Sequence, residues 1–379
     1  MKKLLLLNVL FLLSTVSYAQ NLSPLGELEN IETYEVHDYA KYKSLTELTK
    51  DVESDSIKSL LFHDQSKFPT GLGKLKNLQS VEFYSCEDLN YSDLLKECLK
   101  LNHLIELTLS GLSEQEFPLE IYQLTKLKKL TLAGNNFKTL PTGLDKLSNL
   151  EILILGDHLT GGNDIQTFPQ EIVNLKNLRI LSLVGNTELI LDSNFYGLHQ
   201  LEELNLSFVS NLDFNKTCNS FPNLKKLIIT GIDQRTWEGI SGLSQLEFLS
   251  MDYDSELHSL GKDFSKLSNL ETLDIHIDSQ LNFNEEIAKI AALPKLKSLS
   301  LTITNREKFE LPTDGFKSLR MLRIDNRTKT SISQVIEMVS QYPSLERLDL
   351  MLRFRNLTHE EEIALQKLSE TIEVVGLKN

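Results

Sequence analysis

A short apolar template recurs thirteen times along this chain, most often 23 residues after its previous copy. Each copy places a large apolar residue, usually leucine, at its first, fourth and sixth positions, as in LKKLTLAGNNFKTLPTGLDKLSN at residues 127–149. The first positions are Ile57, Leu78, Leu104, Leu127, Leu150, Leu178, Leu201, Leu224, Leu246, Leu270, Leu296, Leu319 and Leu345. A fixed period of about 20 to 50 residues indicates a solenoid, in which each unit packs on its neighbours. We therefore expect one elongated domain rather than two or three globular ones.

Alternation within the template predicts a short strand. Leu130 and Leu132 fall on one face of that strand, and residues at the third, fifth and seventh positions fall on the other. Several copies continue with a second apolar pattern, LPxxLxxL, as at 140–147. Proline suits a return limb outside the hydrogen-bonded ladder, so this segment should close the core from the opposite side.

The template resembles the LxxLxLxxN/CxL motif of the leucine-rich repeat family, and the resemblance covers about four fifths of the chain. It implies an α/β fold, a curved right-handed solenoid with a parallel β-sheet on its concave face and short helices or irregular limbs on its convex face. It also implies a structural ladder at the ninth position, filled here by Cys86, Asn135 and Asn186. Other copies depart from the motif there, and the fifth copy has His158.

The first residues are typical of an export signal. Lys2 and Lys3 precede the apolar run 4–13, and small residues follow near 17–19. We expect a signal peptidase to cleave before Gln20. A membrane anchor needs about 20 apolar residues, so the sequence favours export over anchoring. The expected location is the periplasm, the surface or the surroundings of a bacterial cell.

The segments that flank the repeats predict end caps. Capping-box signatures, a serine or threonine three residues before a glutamate, occur at 44–47 and 358–361, and an edge strand is expected at 372–375. Helices are also expected at 285–292 and 331–341, where 26-residue repeats have room for them. The predicted organisation is a signal peptide at 1–19, an N-terminal segment and capping helix at 20–56, about thirteen repeats at 57–350 and a C-terminal cap at 351–379.

Charge and composition argue against several classes of function. After residue 19 the chain has 37 basic and 53 acidic residues, a net charge of −16, which repels nucleic acid and anionic membranes. An odd number of cysteines, Cys86, Cys98 and Cys218, disfavours a disulfide framework but leaves one bond open. The acidic run at 252–256 is not followed by the glycine and bidentate glutamate of a calcium loop. We expect no metal and no cofactor. We also expect no enzymatic activity, because neither end of the chain is long enough for a catalytic domain.

The concave face is the candidate partner-binding surface, because the residues between the leucines vary from copy to copy. The candidates are Ile152, Ile154, Ile180, Val184, Ile228, Phe248, Asp274, His276, Arg323, Asp325 and Arg347. An apolar centre beside a charged flank is typical of a binding surface. The alternative is that β-branched residues simply suit strands, even exposed ones.

The sequence leaves three functions open. The first is a monomeric, non-enzymatic protein that binds a protein or peptide on its concave face. The second is a scaffold or adhesin of the cell envelope, in which the repeats act as a spacer, and the third, less favoured, is the regulatory arm of an enzyme. The longest repeat contains Gly161 and Gly162, which we interpret as part of a flexible solvent loop, with a protruding binding loop as the alternative.

Overall fold

The computed structural model describes residues 32–36, 39–111, 117–158, 160–210, 212–231, 238–251, 257–351 and 357–377. The chain forms two compact units, Met1–Leu201 with Phe208–Asn211, and Glu202–Ser207 with Leu212–Asn379. The predicted signal peptide at 1–19 and the acidic run at 252–256 lie outside the described residues.

The first unit is built on parallel strands that follow one another in chain order. The N-terminal segment before the first repeat contributes the first of them, and each repeat contributes one more. Its described strands are β1 (Thr33–Val36), β2 (Ser59–His63), β3 (Ser80–Tyr84), β4 (Glu106–Ser110), β5 (Lys129–Thr131), β6 (Ile152–Ile154), β7 (Gly156–Asp157), β8 (Gly161–Gly162) and β9 (Ile180–Ser182). Strands β7 and β8 form a separate antiparallel hairpin within the fifth repeat.

The second unit repeats the same arrangement, again with parallel neighbours in chain order. Its described strands are β10 (Glu203–Asn205), β11 (Lys226–Ile228), β12 (Phe248–Met251), β13 (Thr272–Ile277), β14 (Ser298–Ile303), β15 (Met321–Asn326), β16 (Arg347–Met351) and β17 (Glu373–Leu377). The predicted edge strand at 372–375 corresponds to β17.

Several return limbs contain an α-helix, and most other limbs contain short 3₁₀ turns. The described helices are α1 (Leu45–Asp51), α2 (Tyr91–Cys98), α3 (Phe214–Ser220), α4 (Phe283–Ala291), α5 (Ile332–Val339) and α6 (His359–Leu368). The helices predicted at 285–292 and 331–341 are confirmed as α4 and α5. Helix α2 was not predicted, although its repeat also has 26 residues, and α3 was missed in a repeat of ordinary length.

The template leucines form the core of both units. Leu127, Leu130 and Leu132 are all buried, and the same holds for the equivalent positions of the other described repeats. Where phenylalanine replaces leucine, the rings stack on each other: Phe62 and Phe83 lie 4.8 Å apart between centroids. Burying one such side chain stabilises the fold by about 1.5 to 3 kcal/mol, so the repeats hold together by stacking.

The eighth position limits how far a strand can extend, because strands end before a left-handed residue at that position. In the first unit Gly134 and Gly185 adopt left-handed backbone there, with φ of 65° and 72°, and the strands before them are short. In the second unit Ile277 and Ile303 occupy this position. A β-branched residue avoids the left-handed region, so β13 and β14 continue for six residues.

Candidate functional site

The open face of each unit consists of the side chains at positions three, five and seven, opposite the core. In the first unit, Ile152 pairs in register with Ile180, and Ile154 lies between Thr131 and Ser182. Ile152 is only 3% exposed, whereas Ile154 and Ile180 are half-buried. The two half-buried isoleucines therefore present accessible apolar surface on β6 and β9.

A packed hairpin borders the open face of the first unit at the seventh positions. Thr160 hydrogen-bonds through its hydroxyl to Ser110 of β4 at 2.7 Å. Asp157 accepts hydrogen bonds from the backbone N–H of Thr160 at 2.7 Å and from its hydroxyl at 3.0 Å. The interpretation of this segment as a flexible solvent loop is wrong, because β7 and β8 pair with each other and their turn is bonded to the third repeat.

Glycines allow the hairpin to approach the neighbouring repeat closely. A Cβ atom on Gly156 would lie 1.9 Å from the carbonyl oxygen of Val184, and one on Gly162 would lie 2.3 Å from the carbonyl carbon of Gly185. Only a residue without a side chain fits at such distances. The hairpin thus packs directly beside Val184, which is only 2% exposed and offers a partner almost no surface.

In the fifth repeat of the first unit, the ninth-position ladder contains Asn163 and not the residue that the sequence pattern assigned to it. Asn163 accepts a hydrogen bond from the backbone N–H of Asn135 at 3.0 Å, and the backbone N–H of Asn163 donates to Asn186 at 3.1 Å. The assignment of His158 to this position is wrong, because the hairpin inserts residues before the ladder resumes. The sequence did carry a signal for the correct position: Gly162 comes immediately before Asn163, as a glycine also precedes Asn135 and Asn186.

Cys86 makes the corresponding contacts in the second repeat. Its sulfur accepts from the backbone N–H of Gln65 at 3.4 Å and lies within donating distance of the carbonyl oxygen of Tyr84, at 3.3 Å. Cys86, Cys98 and Cys218 are free and buried. Burial raises the pKa of Cys86 to about 11 and that of Cys98 to about 12, so these thiols stay protonated near neutral pH.

The apolar candidates of the second unit are less available to a partner. Ile228 is half-buried between Asn205 and Ser250 of the neighbouring strands. Phe248 is buried, and the ammonium of Lys226 lies 5.4 Å from the centre of its ring. Lys226 covers this ring while its Nζ atom lies 3.4 Å from a carboxylate oxygen of Glu203.

Charged side chains on the last strands of the second unit pair with one another. Arg347 donates from Nε to Asp349 at 2.7 Å and from Nη1 to Glu373 at 3.2 Å. Arg323 is buried and lies in register with Asp349. The chain itself therefore already neutralises much of the predicted charged flank.

The remaining polar candidates are engaged in the same way. Asp274 accepts a hydrogen bond from Ser250 at 3.3 Å, and loss of water around its carboxyl raises its pKa. His276 lies 2.7 Å from the hydroxyl of Thr304, and burial lowers the pKa of its imidazole. Asp325 is buried beside Arg327, which donates to it at 2.8 Å.

Comparison with known proteins decides the family. The profile described as a leucine-rich repeat region matches residues 87–378. The chain belongs to the leucine-rich repeat family. Its structure is an α/β leucine-rich repeat solenoid, and proteins of this family typically act as binding scaffolds.

Two solved structures of bacterial proteins are similar to this chain. An internalin (inlF) from Listeria monocytogenes aligns over 86% of this chain and 88% of its own, with 17% identity and a TM-score of 0.53. A leucine-rich repeat protein from Leptospira interrogans aligns over 88% of this chain and 98% of its own, with 20% identity and a TM-score of 0.45. At these identities the likeness concerns the fold alone. No curated protein matches the sequence.

Among the described residues, no group of three or more histidine, cysteine, aspartate or glutamate side chains is placed to hold a metal ion. In the same part of the chain, no helix is both long enough and apolar enough to cross a membrane.

Proposed function

We propose that this leucine-rich repeat protein is an exported, non-enzymatic protein that binds a protein or peptide through the open face of its first unit. The observation that carries the proposal is the pair Ile154 and Ile180, which are both half-buried on this face. Ile154 lies between Thr131 and Ser182, and Ile180 lies beside the buried Ile152. The core side of the same strands is already filled by Leu153 and Leu181. The two isoleucines are therefore not needed to close the core, and a partner can bury them.

The energetics favour the first unit over the charged flank of the second as the source of affinity. A partner that contacts Arg347 or Asp325 must compete with ion pairs that these residues already make. A partner that covers Ile154 and Ile180 displaces only water, and each square ångström of buried apolar surface contributes about 25 cal/mol. The hairpin of β7 and β8 borders the open face at the seventh positions, so the binding surface does not extend beyond them.

The test compares two isoleucine-to-aspartate variants of the full chain. Ile154→Asp places a charge on the proposed site. Ile190→Asp is the matched control, because Ile190 is 64% exposed and lies on a return limb. Each immobilised variant is incubated with cell-envelope and culture-fluid fractions of the source cells, after circular dichroism shows that it is folded.

We expect Ile154→Asp to weaken capture of the principal partner at least about tenfold, as for a central interface residue. Ile190→Asp should capture as much as the unmodified chain. Equal capture by all three proteins would refute the proposed site, and tolerance of charges across the whole face would instead favour a spacer. Export is tested separately: mass spectrometry of the protein from its native cells should give an N-terminus at Gln20.

A further inference from the structure

The last helix of the second unit exposes an apolar residue, whereas earlier limb helices bury theirs. Ile290 of α4 and Val335 of α5 are buried, but Ile363 of α6 is 53% exposed. In a stack of repeats each limb helix is covered by the next repeat. The described residues leave this side of α6 uncovered.

The uncovered side of α6 faces away from the rest of the stack. Glu361 is buried and accepts a hydrogen bond from the backbone N–H of Ile332, at the start of α5, at 3.2 Å. Ile363 follows two residues later, about 160° around the helix axis from Glu361. It therefore points away from α5. Strand β17, next in the chain, pairs with β16 alone among the described strands.

The exposed side of α6 carries a pattern that is complementary to itself. Glu360, Ile363, Ala364 and Lys367 are spaced so that they share one helix face. Lys367 makes no ion pair with the described residues. When two such helices lie antiparallel, Glu360 meets Lys367 of the other copy and Ile363 meets the other Ala364, whose small side chain permits close approach. The acidic first turn and basic last turn also suit antiparallel helix dipoles.

We propose that two copies of the chain associate through α6 about a two-fold axis, with their β17 edges side by side. A two-fold axis makes each Glu360–Lys367 and Ile363–Ala364 contact twice. Among the described strands none pairs with the outer edge of β17, and natural proteins normally cover or pair such an edge. This surface is separate from the open face of the first unit, and the sequence alone had favoured a monomer.

Sedimentation equilibrium of the full chain tests the proposal. The unmodified protein should form a concentration-dependent dimer. Ile363→Asp should raise the dimer dissociation constant at least about tenfold, while the control Ile190→Asp should leave it unchanged. Circular dichroism checks that each variant is folded, as expected because both substituted residues are exposed. A chain that remains monomeric at all concentrations, or a dimer unaffected by Ile363→Asp, would overturn the proposal.

Charge reversal makes the test specific for the antiparallel contact. Glu360→Lys and Lys367→Glu should each weaken the dimer, because each places like charges opposite one another. The double variant reverses both charges and should return the dissociation constant to within about threefold of the original. Failure of the double variant to restore association would refute the antiparallel pairing. Ile154→Asp should not affect the dimer, so this proposal and the binding proposal fail independently.

Discussion

Replacing Asn163 by alanine should destabilise the first unit more than any substitution of an exposed asparagine. Asn163 is buried, and its side chain bonds three backbone groups: the N–H of Asn135 and the carbonyl oxygens of Leu132 and Leu155. Leu155 keeps a second donor from the side chain of Asn186. The substitution therefore leaves two buried backbone groups without their side-chain partner.

The magnitude follows from these two groups. An unsatisfied buried donor or acceptor costs about 1 to 3 kcal/mol, so the loss should be about 2 to 6 kcal/mol. Asn149 provides the control, because its side chain also bonds a backbone carbonyl, that of Thr125 at 2.9 Å, but at an exposed site. Water replaces that bond, and Asn149→Ala should cost less than about 0.5 kcal/mol.

Urea unfolding followed by circular dichroism measures both variants. Repeat units can unfold separately, so the transition of the first unit is identified as the one that Asn163→Ala shifts. We expect a clearly lower midpoint for Asn163→Ala and an unchanged midpoint for Asn149→Ala. Equal midpoints for Asn163→Ala and the unmodified chain would refute the role of Asn163 in a continuous ladder.

Two further predictions concern the hairpin and the thiols. Gly156→Ala should destabilise the first unit by at least about 2 kcal/mol, because the added methyl group overlaps the carbonyl oxygen of Val184; a thermal melt within error of the original would contradict this packing. Cys86, Cys98 and Cys218 should not react with a thiol reagent at pH 8 in the folded chain, because burial raises their pKa. All three should react in guanidinium, and fewer than three would reveal a disulfide.

The repeat template is enough to predict the architecture, because period and alternation fix where strands lie and which face is buried. The apolar side chains at positions one, four and six are buried as the pattern requires, and α4, α5 and α6 follow from repeat length and capping signatures. Helix α3 was not predicted, because it occupies a repeat of ordinary length. Its aspartate cap, Asp213, is also a weaker signal than a complete capping box.

The candidate site is less predictable, because position in the template gives only the direction of a side chain. Accessibility depends on long-range neighbours: Lys226 covers Phe248, and the hairpin packs beside Val184. The pattern could not show that Arg347 and Asp349 neutralise each other, since both simply point to the open face. Counting positions also failed at His158, where the insertion displaced the ladder to Asn163.

Site-specific photo-crosslinking in the native cells tests whether a partner binds the open face of the first unit. A benzophenone side chain is introduced at position 154 in one variant and at position 190 in the other, and the cells are irradiated. If a partner binds there, position 154 should give a discrete cross-linked protein or peptide that is absent at position 190. Cross-linking that is equal at the two positions, or absent at position 154, would contradict binding through the open face of the first unit.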